Sequence, residues 1–189
     1  MAELREEIRR RLGEEGRLLL AIDGRCGCGK SSLAASLAAE LGGNVFHTDD
    51  FYLPFAARME GWREIPAGNM DLARLREELL EPLCRGGTVS YRPYDCANGL
   101  FLPTREIPFR PLSIVEGSYS QHPSLREHYG LSLFVTASPE TQRARLRARE
   151  GKTSPPSRRS GSHWRNGISA SSVSRSMRIS CSGPTESAL

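Results

Sequence analysis

Three short stretches of this 189-residue chain combine reactive side-chain types with telling spacing. The first is Gly24-Arg25-Cys26-Gly27-Cys28-Gly29-Lys30-Ser31, which fits G-x-x-x-x-G-K-[ST], the phosphate-binding loop of enzymes that use ATP or GTP. Glycines let backbone N–H groups curl round a phosphate, and a helix N-terminus adds its positive dipole. In this pattern Lys30 reaches the β- and γ-phosphates of ATP, the Ser31 hydroxyl sits on Mg²⁺, and Ser32 carries the loop into its helix. The second stretch is Thr48-Asp49-Asp50-Phe51-Tyr52. One of its two carboxylates could take a proton from an acceptor hydroxyl or help hold Mg²⁺ through water. A helix N-cap at either Asp is the competing reading. The third is Glu116-Gly117-Ser118-Tyr119, where an acid follows an apolar run, the second half of a phosphate-loop site. Together they point to phosphoryl transfer.

Positioning such groups requires strands that end where the chemistry begins. Leu18-Leu19-Leu20-Ala21-Ile22 is a continuous apolar run, as expected of a buried parallel strand, and Asp23 ends it. After the loop, residues 32–41 are rich in Ala and Leu, with Leu33, Leu37 and Leu41 on one helical face. Asn44–His47 predicts a short second strand, so Asp49 and Asp50 follow a strand's carboxyl end, where ligands gather in open parallel sheets. Ahead of all this, Leu4, Ile8 and Leu12 predict an amphipathic helix that ends at Gly13 and Gly16. Further on, Asp71 is positioned to cap a helix carrying Leu72, Leu75, Leu79, Leu80 and Leu83. Thr88–Tyr91 and residues 107–109 predict a hairpin outside the main sheet, because prolines argue against a central strand. Leu112–Val115 and Leu131–Val135 predict two more parallel strands, with a short helix between them at 122–128. Ser138-Pro139 opens a helix bearing Arg143, Arg145, Arg147 and Arg149, which reads either as a solvated face or as a lid over phosphates.

Charge distribution removes one class of partner. The formal +4 is confined to the C-terminal part: residues 1–151 hold 20 Lys/Arg against 21 Asp/Glu, and residues 152–189 hold 6 against 1. The body has no electrostatic case for binding nucleic acid. The N-terminus has no apolar signal segment and no run is long enough to span a membrane, so the expectation is a chain without membrane contact. Five cysteines without framework spacing suggest a reducing cytoplasm. A guanine-reading Asn-Lys-x-Asp is absent: lysine occurs only at 30 and 152, and neither follows Asn.

The ordered set Ile22–Ser31, Phe46–Tyr52, Gly68–Asp71, Tyr91–Cys96 and Val115–Ser120 resembles the uridine kinase-like P-loop kinases, relatives of phosphoribulokinase and pantothenate kinase. The resemblance covers residues 15–151. It implies an α/β P-loop NTPase fold of the nucleoside/nucleotide kinase kind, a three-layer sandwich with a mostly parallel sheet. It implies transfer of the ATP γ-phosphoryl group, with Mg²⁺, to a small-molecule hydroxyl, a nucleoside such as uridine being the first expectation. Pantothenate and sugar-phosphate-like acceptors are the alternatives. Asp49 matches the family's general base, with Asp50 as fallback. Tyr94 and Asp95 match the pair that holds the sugar, Tyr52 joins them at the acceptor, and Arg145 and Arg149 match the lid arginines. Ser31 and Glu116 are the expected metal ligands. Oligomeric state is left open.

Beyond Gly151 the pattern breaks. Residues 152–189 contain 12 serines and almost no apolar periodicity, the composition of a disordered basic tail. The family continues with a segment like Trp-Ile-Pro-Leu-Glu-Glu-x-Tyr-Phe. Reading the coding triplets one nucleotide earlier, Ser160 to Ser169 permits Trp-Ile-Pro-Leu-Glu-Glu-Arg-Tyr-Phe. The expectation is therefore a 1–151 kinase domain followed by a frameshifted 152–189 tail, with the final sheet strand missing. An inactive ATP-binding protein is the alternative this tail raises.

Overall fold

The apolar run at the start of the first motif becomes the middle of a five-stranded sheet. The structure, a computed structural model, describes residues 1–150 and 176–181, with residues 149–150 and 176–181 described as backbone. Helix α1 (Ala2–Glu15) precedes β1 (Leu18–Gly24), and α2 (Lys30–Leu41) follows the glycine loop. Strands β2 (Asn44–His47), β7 (Leu112–Glu116), β8 (Leu131–Ala137) and β9 (Ser176–Cys181) complete the sheet in the order β2-β7-β1-β8-β9. Every neighbouring pair is parallel.

β1 is buried along its whole length, which is why it reads as an unbroken apolar run rather than an alternating one. Its side chains alternate between two cores. Leu18, Leu20 and Ile22 join Ile114, Leu133 and the α1/α2 residues Leu4, Ile8 and Leu37 on one face. Leu19 and Ala21 join Phe46, Val115 and Leu75, Leu79, Leu80 and Leu83 on the other. Helices thus cover both faces, giving the three layers of an α/β fold. Gly16, rather than Gly13, closes α1 in the left-handed conformation. Arg5 and Arg9 both reach Glu40, tying α1 to α2 at the surface.

The helix expected after Asp71 forms, and the Asp71 side chain accepts the Arg74 N–H as its cap. It is not uniform: α3, residues 72–84, is α-helical at Leu72–Arg74, π-helical at Leu75–Leu80 and α-helical again at Glu81–Cys84. Pro82 cannot donate to the carbonyl of Glu78, and its ring crowds that group; the wider turn just before it absorbs the misfit. The hairpin outside the sheet is present with shifted bounds. β3 (Val89–Tyr91) pairs antiparallel with β6 (Arg105–Ile107), and an inner pair, β4 (Tyr94–Asp95) with β5 (Leu100–Phe101), sits at its tip. Helix α4 (Pro139–Glu150) starts at Ser138, whose hydroxyl accepts the Thr141 N–H.

One expectation is corrected. The fifth strand is not missing: β9, drawn from the Ser/Arg-rich tail, pairs with β8 from Ser132↔Ser176 to Ala137↔Cys181. Met177, Ile179 and Cys181 alternate with Ser176, Arg178 and Ser180, a period of two that suits a strand although the surrounding composition does not. The remainder of the expected tail, 151–175 and 182–189, lies outside the described residues. Among the described residues no helix is long and apolar enough to cross a membrane.

Candidate phosphate-loop and acceptor site

The phosphate loop is built where β1 meets its neighbours most tightly. A Cβ at Gly24 (φ 150°) would lie 2.2 Å from the Val135 carbonyl oxygen, so only glycine passes between β1 and β8 here. Asp23, 8% exposed, accepts the Gly24 N–H at 2.6 Å and the Gln121 N–H at 3.4 Å, which pins the strand end. Gly29 is the N-cap of α2. Lys30 opens that helix and folds back along the loop, donating to the carbonyls of Gly24 (2.8 Å) and Arg25 (3.2 Å). Cys26 is exposed, while Cys28 is fully buried and belongs to the core. Arg145 on α4 donates to the carbonyls of Gly27 (3.4 Å) and Cys28 (3.2 Å), which places a cation against the loop. Arg149 lies on the same helix, but its side chain is outside the described residues.

Glu116, 5% exposed, ends β7 beside the loop. Its Oε1 accepts the Ser31 hydroxyl at 2.9 Å and meets His47 Nδ1 at 2.7 Å. Burial by itself would raise its pKa; the hydrogen bonds from His47 and Ser31, with the charges of His47 and Lys30, outweigh this and hold it below the ordinary carboxylate range. His47 is correspondingly raised, chiefly by its hydrogen bond to Glu116. The signs follow from linkage. His47 contributes stability fully below its ordinary value of 6.5, lost as pH rises through the raised one. Glu116 contributes above its ordinary 4.5, lost as pH falls through the lowered one. Between those two ordinary values the pair is fully formed. In the nucleotide-free chain, an NMR titration of His47 is expected to inflect above 6.5, and Glu116→Gln to return it toward that value. An inflection at or below 6.5 in the parent would mean that the pair does not form in solution.

The segment after Glu116 touches the Asp49 turn. A Cβ at Gly117 (φ 139°) would fall 2.0 Å from Thr48 Oγ1, and that hydroxyl donates to the Ser118 carbonyl at 3.2 Å. Gly117→Ala is expected to cost at least about 2 kcal/mol through strain and overpacking, read as a lowered Tm. An unchanged Tm would mean that the β2 and β7 ends are not locked together at this point.

Thr48–Phe51 forms one turn of 3₁₀ helix, and its two carboxylates have opposite surroundings. Asp49 is exposed and accepts the Tyr52 hydroxyl at 2.9 Å. Asp50 is part-buried, and its Oδ2 accepts from both the Tyr91 hydroxyl (2.9 Å) and Arg105 Nη1 (3.0 Å). Neither Asp makes a side-chain N-cap bond to this turn. Burial, with the Asp49 charge, pushes the Tyr52 phenol far up, so it stays a hydrogen-bond donor.

β4 packs against this turn and brings Tyr94 and Asp95 to the site. Tyr94 is 5% exposed and lies edge-on to Phe101 at 5.2 Å. The Asp95 carboxylate is committed to its own turn, accepting from Asn98 Nδ2 (2.5 Å), Ala97 N (2.8 Å) and Asn98 N (3.3 Å). These bonds, the Asn98 side chain foremost, lower its pKa. Sequence reasoning passed over four residues here: His47, Tyr91, Arg105 and Arg58. Arg58 stacks between Phe55 (3.9 Å) and Trp62 (4.7 Å) and reaches Cys96 Sγ at 3.8 Å. Only His47 carried a readable signal, as the residue closing the strand before the two acids.

No family model and no curated protein matches the chain. Among solved structures, one described as a possible uridine kinase from Bacillus stearothermophilus is similar at 24% identity, over 74% of this chain and 84% of that one, with a TM-score of 0.56. A second, described as a fructose transport system kinase from Silicibacter sp. TM1040, is similar at 24% identity over 70% of this chain and 71% of that one, TM-score 0.55. At this identity the likeness is one of fold: this chain shares the mostly parallel, helix-covered sheet of both proteins.

Proposed function

We propose that this chain is an ATP- and Mg²⁺-dependent phosphotransferase that moves a γ-phosphoryl group onto a hydroxyl of a small molecule, a nucleoside such as uridine. The observation that carries the reading is the strand order. Because β2, β7 and β1 are neighbours, the Asp49 turn, Glu116 and the Gly24–Ser31 loop leave one edge of the sheet side by side. A proton acceptor, an acid suited to a metal and a phosphate cradle then stand in the sequence an in-line transfer needs.

Ser31 and Glu116 fit a hard divalent cation: both offer oxygen, they already meet, and Glu116 favours its ionised form despite its burial. Among the described residues no group of three or more His, Cys, Asp or Glu could hold a metal, so nucleotide phosphates and water would complete the shell. When bound, Mg²⁺ supplies neutralising charge and a template for the phosphates. The remaining roles belong to the chain. The N–H groups of the loop and the Lys30 ammonium stabilise charge on the moving phosphoryl, and Arg145, with Arg149 by family likeness, adds to that field. Asp49, oriented by Tyr52, accepts the acceptor's hydroxyl proton as the new O–P bond forms and the β–γ anhydride bond breaks. Tyr94 and Asp95 shape the acceptor's sugar end.

A sugar acceptor is the second reading, favoured by the nearly equal similarity to the fructose transport system kinase. We place the enzyme in the cytoplasm, without nucleic-acid or membrane partners, and read 1–151 as its kinase domain and 152–189 as a frameshifted tail whose residues 176–181 nonetheless supply β9. The test is an ATP-consumption screen over nucleosides, pantothenate and sugars, run on this chain and on a version whose tail is restored in the shifted frame. Turnover with uridine or cytidine supports the nucleoside reading, and turnover with sugars alone replaces it. ATP binding with no turnover in either version leaves an inactive nucleotide-binding protein. Turnover by the restored version alone supports the frameshift; equal turnover by both removes the reason for it.

A further inference from the structure

The geometry points to Asp50, Tyr91 and Arg105 as a clamp that sets the acceptor arm against the turn carrying Asp49. They are positioning residues, and the inference rests on the acceptor-side reading just given. Asp50 stands next to Asp49 in one 3₁₀ turn, yet it is part-buried where Asp49 is exposed. Its side chain is 16% exposed, and a single oxygen, Oδ2, takes both the Tyr91 hydroxyl and the Arg105 guanidinium. Those two donors are not independent arrivals. Tyr91 and Arg105 are direct cross-strand partners in the β3/β6 ladder, so the hairpin presents them as a pair. Tyr91 is further fixed by stacking on Phe51 of the same turn, centroids 4.9 Å apart.

The register matters chemically. A slip of one residue along β6 would bring Glu106, in place of Arg105, to the face that meets Asp50, and two carboxylates would oppose each other. The clamp therefore admits one pairing of the outer hairpin. Between its two arms, residues 92–104 hold the inner β4/β5 pair with Tyr94, Asp95 and Cys96. The base of this arm is braced by Leu102 N to the Pro93 carbonyl (2.8 Å) and Arg74 to the Arg92 carbonyl (2.7 Å). The arm reaches the Asp49 turn through β4, and Asp50 fastens the outer hairpin to that same turn. The distance from Asp49 to a bound acceptor is thus set through Asp50. Burial, with the Asp50 charge, pushes the Tyr91 phenol up to about 12, so it remains a donor throughout neutral pH.

The experiment compares Arg105→Ala, Asp50→Asn, their combination and Arg105→Lys with the parent chain. Arg105→Ala is expected to raise acceptor KM at least about tenfold by loosening acceptor orientation, with ATP KM within about twofold of the parent. The combination should be no worse than the poorer single variant, the mark of coupled residues. Arg105→Lys should recover to within about threefold, because the contact with Asp50 is one N–O pair rather than a fork. Equal increases in the two KM values, additive losses or no rescue would overturn the clamp. A second readout needs no turnover: amide exchange in 49–52 and 94–101 should accelerate together in Arg105→Ala while 18–24 and 112–116 keep their rates. Acceleration confined to 105–107 would equally overturn it. If the parent phosphorylates no acceptor, the kinase reading fails by itself and the exchange pattern alone decides the clamp.

Discussion

Lys30→Ala is expected to lower kcat for ATP-dependent phosphorylation by about 10²–10³-fold or more, the range for removing one preorganised group from a developing negative charge. Among the described residues the chain has no second lysine. Its only other lysine is Lys152, and Arg145 is already engaged with the carbonyls of Gly27 and Cys28. Folding should be spared, because among the described residues the Lys30 ammonium hydrogen-bonds only the carbonyls of Gly24 and Arg25 in its own loop. Steady-state ATP consumption and a melting curve on the same preparation separate the two effects. Activity within about threefold of the parent, at unchanged Tm, would remove Lys30 from the transfer machinery.

Asp49→Asn is expected to cost about 10²–10⁴-fold in kcat, the usual contribution of a positioned general base, with ATP affinity retained. Asparagine keeps an oxygen for the Tyr52 hydroxyl, so the turn survives while the proton acceptor is lost. The comparison with Asp50→Asn is the informative part. Asp50 already takes two donors on one oxygen, so its amide variant should show mainly in acceptor KM. Single-turnover rates with saturating acceptor distinguish them. A large kcat loss for Asp50→Asn and a small one for Asp49→Asn would exchange the two roles.

The two aspartates also mark where sequence reasoning stops. The phosphate loop was legible because its chemistry is encoded by spacing within a few residues, and β1, β7 and β8 because buried parallel strands read as apolar runs. Asp49 and Asp50 could not be told apart, since what separates them is Tyr91 and Arg105, 41 and 55 residues away from Asp50 in sequence. Asp95 is read as an acceptor residue by likeness alone, and what the likeness does not say is that Ala97 and Asn98 hold its carboxylate in a turn. The Asp95-Cys96-Ala97-Asn98-Gly99 run is itself a turn signal that family likeness overshadowed. The π-helical stretch had its cue in Pro82, and the bounds of the hairpin moved because pairing, not local propensity, decides them. β9 was hidden by composition: six alternating residues carry little weight among so many serines.

The position of β1 at the centre of the sheet has a consequence for how the protein comes into being. Leu18 pairs with Leu112, and Leu20 with Leu131, so the strand that ends in the phosphate loop has no sheet partner until most of the chain exists. Contacts this distant in sequence make for slow folding, on the order of milliseconds to seconds. On a ribosome adding about 5–20 residues per second, β1 waits roughly 5–20 s for β7. Through that interval an apolar pentapeptide stands ready to pair with any neighbouring strand. Yield during synthesis should therefore respond to chaperone supply and growth temperature more steeply than the Tm of the finished protein suggests.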